Sequence, residues 1–204
     1  MREIMLPALR VALVTWVLCG ILYPLAVTGL AQWLEPFQAN GSLVKGGDGQ
    51  ILGSSVIGQQ WTGPEWFHGR PSATTGTDPS NPAASVSAPY NAANSGGSNL
   101  GPTSKLLAER IAADRRTLED VQPELAGRAL PADMLTASGS GLDPDISPAD
   151  ASLQVPRIAK ARGVATAEID ALLRRHITGR SLGIFGEPRV NVLDLNLALD
   201  QLHK

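Results

Sequence analysis

Apolar positions follow three patterns along this chain. The first is an unbroken run, Val11 to Leu34, 24 residues without Asp, Glu, Lys or Arg. About 20 apolar residues cross the hydrocarbon core of a bilayer. At ~1.5 Å rise per residue the run would reach roughly 36 Å as a helix, so a transmembrane helix is predicted over 11–34. The second pattern, 35–103, has short apolar clusters up to Phe67 and few large apolar groups from 69 onward. Residues 35–50 read as a linker and first turn, with Asn40-Gly41-Ser42 and Gly46-Gly47-Asp48-Gly49 as turn signals. Gln50 to Gly58 reads as a short strand pair or one buried strand, and Trp61, Trp66 and Phe67 come next as a packing centre or contact surface. For 69–103 the composition suits a disordered linker, whereas the order of Tyr90-Asn91 and Ser95 to Pro102 suits a specified loop.

The third pattern has helical period. Leu107, Ile111 and Leu118 share one face of a helix that begins near Pro102 and stops at Pro123. Residues 131–137 read as a turn into a short buried strand, and 138–145 as a loop. Ser147-Pro148-Ala149-Asp150 is a helix start, with a cap, proline at the first position and a carboxylate three residues after the cap. Pro156 is expected to divide that helix into two short pieces ending at Gly163. Thr166 caps the next helix, with Ile169, Leu172 and Leu173 inward, and Gly179 ends it. Asn191 and Asp194 repeat the cap spacing. They open a last helix with Val192, Leu195, Leu199 and Leu202 as its stripe and Asn196 off it. The predicted class is α/β (α+β): one N-terminal transmembrane helix, then a single extracytoplasmic domain with a small sheet packed by several helices. The parts are 1–10 cytoplasmic, 11–34 membrane, 35–50 linker and 51–204 domain.

Charge orients the helix. Arg2 and Arg10 precede it, Glu35 comes directly after it, and the next basic residue is Lys45. Basic residues favour the cytoplasmic side, which places the N-terminus inside and 35–204 outside. A cleaved secretory signal is the competing reading: Arg2 and Arg10 as n-region, Val11 to Leu22 as h-region, Gly29-Leu30-Ala31 as cleavage site. Both readings export the domain. Residues 35–204 carry 15 basic and 18 acidic side chains, so no basic patch points to nucleic acid. Cys19, within the apolar run, is the only cysteine, so the domain folds without a disulfide.

Candidate chemistry is thin. His68, His176 and His203 lie too far apart for a metal set, and no metal site is expected. Gly139-Ser140-Gly141 resembles a hydrolase elbow, but Ser138 stands where G-x-S-x-G needs glycine. A secreted or membrane-anchored hydrolase or ligand-binding domain stays as the alternative function. No phosphate loop of the form G-x-x-x-x-G-K-[ST] occurs. Asp143 and Asp145, with Asp133 and Asp150 nearby, suit caps and turns and lack the ligand order of a calcium loop. In the membrane run, Gly20, Pro24 and Gly29 would let another helix approach closely, against the plainer reading of a lipid-facing helix.

In sequence order the motifs resemble the KdpC subunit of the bacterial high-affinity potassium-transporting Kdp ATPase. They are Tyr23-Pro24-Leu25 with Thr28 to Gln32, Phe67 to Ala73, Tyr90-Asn91, Ser95 to Pro102, Thr136 to Pro148, Gln154 to Ala159 with Ala161-Arg162-Gly163, and Gly186 to Asn196. The resemblance implies an accessory, non-catalytic subunit of the bacterial inner membrane. Its implied partners are a potassium-channel-like subunit, a P-type ATPase subunit, a small single-span subunit and membrane lipid. The resemblance also brings the family's assigned role, ATP binding as a catalytic chaperone that raises the pump subunit's nucleotide affinity. An extracytoplasmic domain does not share cytoplasmic ATP, so assembly, stabilisation or a cover near the external potassium entrance is the expected role. The loops around Arg70, Asn99 and Asp143 are the expected contact points, and no catalytic residue is expected.

Overall fold

The apolar run is helical, and the helix extends beyond it toward the N-terminus. α1 (Arg2–Val17) passes through a π-turn (Leu18–Leu22) into α2 (Tyr23–Leu34). The computed structural model describes residues 2–202; His203, one of the three histidines considered for a metal set, falls outside the described residues. Among the described residues, Glu3–Leu34 is the one helix long and apolar enough to cross a membrane. The π-turn has a local cause. Pro24 has no N–H to give the Gly20 carbonyl, and its ring crowds that oxygen. Widening the preceding turn, where the Tyr23 N–H reaches the Leu18 carbonyl, accommodates the ring without a break.

The chain forms two units, one up to Ser54 and one from Ser55 onward. In the first, α2 leads to α3 (Pro36–Ala39) and an antiparallel hairpin, β1 (Leu43–Lys45) and β2 (Ile51–Ser54). β1 comes from within the expected linker. The Gly46–Gly49 turn allows it: the Gly46 N–H donates to the Gln50 carbonyl at 2.9 Å, and Asp48 Oδ1 accepts from the Gln50 N–H at 3.0 Å.

The second unit holds a small hairpin, β3 (Thr75–Thr77) and β4 (Ser85–Ser87), and then α4 (Lys105–Val121). A single turn of 3-10 helix, Pro123–Leu125, leads to a short α5 (Ala132–Leu135). Next come β5 (Asp145–Ile146), α6 (Pro148–Arg162), α7 (Thr166–Arg175), β6 (Ile177–Thr178), β7 (Arg189–Asn191) and α8 (Val192–Gln201). β7 lies between β5 and β6, antiparallel to both, with Val190 opposite Ile146 and Ile177. The core joins this sheet to α6, α7 and α8. Val155, Ile158, Ile169, Leu195 and Leu199 surround Phe67, which is fully buried.

Segment 69–103 proves to be a specified loop. Hydrogen bonds hold it where large apolar groups are few. Ser72 Oγ donates to the Gly141 carbonyl at 2.8 Å, Thr74 Oγ1 to the Ala88 carbonyl at 2.6 Å, and the Gly96 N–H to the Ser140 carbonyl at 2.8 Å. Tyr90 sits at φ +59° with its hydroxyl on the Arg70 carbonyl at 2.7 Å. Gly58 and Gly69 make room for its ring; a Cβ at either position would collide with Tyr90.

Several expectations need correction. Residues 132–135 are helical, closed by the Thr136 N–H and Oγ1 on the Ala132 carbonyl at 2.9 and 2.6 Å; Met134 and Leu135 are buried as expected. Pro156 does not divide α6. It faces solvent, where water can reach a carbonyl that loses its partner, and Gln122 Nε2 donates to the neighbouring Leu153 carbonyl at 3.0 Å. Ala165, not Thr166, is the cap residue of α7, which ends at Arg175 before β6 rather than at Gly179.

Candidate functional site

The polar side chains of the second unit converge on residues 63–70. Asn196, expected off the apolar stripe of α8, is fully buried. It accepts from the Phe67 N–H and donates to the Phe67 carbonyl, both at 2.9 Å. One residue on, Gln154 of α6 accepts from the His68 N–H at 2.8 Å and donates to the His68 carbonyl at 3.0 Å. Two side-chain amides thus pair with consecutive backbone units as a neighbouring strand would.

Arg157 completes the clasp. Its Nε donates to Gln122 Oε1 at 3.2 Å, and Nη1 to the Gly63 and Pro64 carbonyls at 3.3 and 2.6 Å. Nη2 donates to the Trp66 carbonyl at 2.9 Å and to Gln154 Oε1 at 2.8 Å. A guanidinium has five N–H groups, so this one is saturated, and its acceptors are all uncharged. Burial pulls its pKa down to about 10, against the opposing pull of Asp150, and it stays charged at neutral pH. Arg162 adds a bond from Nε to the Glu65 carbonyl at 2.9 Å and lies 4.5 Å above the Trp66 ring, a cation–π contact.

Asp150 is 1% exposed and accepts from Gln154 Nε2 at 2.8 Å. Burial pushes its carboxyl up to about 7, so acid and carboxylate coexist near neutrality. The expected reciprocal cap of α6 is divided between two carboxylates. Ser147 Oγ accepts from the Asp150 N–H at 3.0 Å, but Asp133 takes the Ser147 N–H at 2.7 Å, which frees the Asp150 side chain to turn inward. His68 is neutral at physiological pH, its pKa lowered by burial first and Arg157 second. Its Nε2–H donates to the Gly63 carbonyl at 2.7 Å. A cleft of about 360 Å³ lies over this network, lined by Pro71, Leu118, Val121, Met134, Asp150 and Arg157.

A second concavity, about 430 Å³, holds two of the expected contact residues. Arg70 Nη1 meets Asp143 Oδ2 at 3.0 Å, and Nη2 reaches the Thr136 carbonyl at 3.5 Å. Asp143 Oδ1 accepts from the Asp145 N–H at 3.1 Å, and Asp145 pairs with Arg189 at 3.0 Å. Burial raises the Asp145 pKa, and Arg189 opposes the rise. Asn99 is exposed at φ +53° and is not a partner of Arg70 or Asp143. Among the described residues no group of His, Cys, Asp and Glu has metal-site geometry. Ser140 Oγ accepts from the Leu142 N–H at 3.1 Å, which is turn chemistry. Gly20 lies in the π-turn, Pro24 is the second residue of α2, and a Cβ at Gly29 would meet nothing within 4 Å.

Sequence reasoning missed Asp150, Gln154, Arg157 and Asn196 as a set. A signal was present: Asp150, Gln154 and Arg157 recur at i, i+4 and i+7, one polar face of a helix. The target of that face, a backbone segment some 90 residues earlier, leaves no trace in spacing.

A membrane-span-length helix, then a small α+β unit whose buried polar side chains clasp its own backbone, defines the class: a single-helix α+β chain. Comparison narrows the class to one family. A family profile described as KdpC, K+-transporting ATPase c chain, matches residues 5–201. The chain is 57% identical over 194 residues to the potassium-transporting ATPase KdpC subunit of Rhodopseudomonas palustris, covering 95% of this chain and 94% of that one. It is 55% identical to the same subunit of Methylobacterium nodulans, covering 96% of each. For Bradyrhizobium diazoefficiens the identity is 53% and the coverage 98% of each. The chain belongs to the KdpC family.

Proposed function

We propose that this chain is an accessory, non-catalytic subunit of an ATP-driven, high-affinity potassium importer, anchored in the bacterial inner membrane by Val11–Leu34. Its role is to assemble and stabilise the channel-like, P-type ATPase and small single-span subunits. The family match across residues 5–201 carries the reading. The site geometry supports it: Arg157, Gln154 and Asn196, side chains that elsewhere act on ligands, are saturated by this chain's own groups.

The helix stays uncleaved, the N-terminus lies in the cytoplasm with Arg2 and Arg10, and the domain lies outside. ATP then belongs to the P-type subunit, and the chaperone role assigned to the family is not part of this reading. Fusing alkaline phosphatase after Lys204 tests the topology. An active phosphatase is expected, whereas an inactive phosphatase with an active cytoplasmic reporter overturns the topology and returns ATP binding to the chain. Assembly is tested by co-purification of the other subunits with the full chain, which by itself should show no ATP turnover.

A further inference from the structure

The segment between β6 and β7 carries the most exposed large apolar side chains among the described residues of the second unit. Leu182, Ile184 and Phe185 are 88%, 71% and 64% exposed. The hairpin that carries them is well defined. Ser181 and Phe185 exchange both backbone hydrogen bonds at 2.9 Å, and Leu182, Gly183 and Gly186 hold positive φ. Arg180 and Glu187 pair across its stem at 2.7 Å. Exposing three large apolar side chains on one tip is costly without something to cover them.

Charge indicates what covers them. Within 174–189, Arg174, Arg175, Arg180 and Arg189 stand against Glu187; counting Asp145, the partner of Arg189, still leaves two positive charges in excess. The rest of residues 55–204 has ten basic and fourteen acidic side chains. The apolar tip therefore belongs to a segment of net positive charge, with Arg174 and Arg175 in the last turn of the helix that leads into it, on an otherwise acidic unit. Apolar side chains with adjacent cations suit the boundary between anionic headgroups and acyl chains. Three side chains fall well short of the ~800 Å² per partner that a stable protein interface buries. A membrane contact needs no such area here, because the anchor holds the domain close and makes a weak insertion effectively intramolecular.

We propose that the 177–189 hairpin is a second membrane contact, inserting Leu182, Ile184 and Phe185 into an anionic phospholipid surface with Arg174 and Arg175 on the headgroups. The proposal rests on the reading of 11–34 as an anchor. Its test uses the full chain with Cys19→Ser and Ile184→Cys, the new thiol carrying an environment-sensitive dye, in vesicles of phosphatidylcholine with roughly one-third phosphatidylglycerol. Vesicle flotation reports the anchor separately. The expected result is a blue-shifted dye, quenched by lipid-borne nitroxides and shielded from aqueous iodide. The shift should shrink in pure phosphatidylcholine and disappear with Leu182→Asp plus Phe185→Asp. A dye that stays open to iodide on floated vesicles overturns the proposal. So does a dye shielded only after the other pump subunits are added, which would make the tip a protein contact. Failure to float would remove the anchor reading and this proposal together.

Discussion

At the scale of single residues, Arg157 shows how a buried cation can be structural. Its five N–H groups meet five uncharged acceptors, so losing the fork takes the side-chain donor from the Pro64 and Trp66 carbonyls. Arg157→Lys keeps the charge but offers three donors from a single point. The full chain should lose about 2–4 kcal/mol of stability, read in denaturant by the fluorescence of Trp61 and Trp66. Asp150 makes a pH prediction. Folding raises its pKa from 3.8 to about 7, so the folded state favours the acid. Its contribution to stability is fully present below pH 4 and is lost as pH rises through 7. His68 runs the other way, since its lowered pKa makes acid the destabilising condition. Asp150→Asn isolates the carboxyl. The variant should gain on the wild type by up to about 1.4 kcal/mol per pH unit between pH 5 and 7. Parallel stability curves would show that the carboxyl is hydrated in solution.

At the scale of elements, two prolines and two amides are the instructive cases. Pro24 and Pro156 sit inside helices that continue through them, for different reasons. The first is absorbed by a π-turn, the second by solvent on one side and Gln122 on the next carbonyl. Pro156→Ala should restore a backbone donor and stabilise α6 by about 1–3 kcal/mol, measured by thermal unfolding; a loss would mean that the kink itself shapes the packing. Gln154 and Asn196 were legible as residues of two helices. Their shared target was not, because bonds to His68 and Phe67 span 86 and 129 residues and local periodicity carries no long-range information. The caps at Ser147 and Asn191 were readable for the opposite reason: each lies three residues from the N–H it accepts.

At the scale of the whole molecule, the membrane helix offers a clean test of partnership. A Cβ at Gly29 meets open space, and one at Gly20 meets only Trp16, at ordinary contact distance. Leucine at either position is therefore tolerated by this chain alone. If Gly20→Leu or Gly29→Leu lowers co-purification of the other subunits while the chain still reaches the membrane, the small face is packed by a partner helix. Unchanged co-purification would leave the helix a tether. Of the three loops expected as contact points, the fold brings two together. Arg70 and Asp143, 73 residues apart, form one ion pair, whereas Asn99 stands apart from it.

The sequence by itself determined what depends on neighbours along the chain. These features are a helix long and apolar enough to span a bilayer, the caps that open α6 and α8, the stripes that bury Ile169 and Leu195, and the motifs that placed the chain in its family. Each is set within a few residues by hydrophobic period or by a side chain reaching its own backbone. Only the tertiary structure decided which polar groups are buried and what they hold. Segment 69–103 is ordered by hydrogen bonds to 138–142. Residues 63–68 are clasped from two helices, and Asp150 has a raised pKa because the packing around it excludes water. Burial and long-range hydrogen bonding are properties of the assembled surfaces, and they exist only once those surfaces meet.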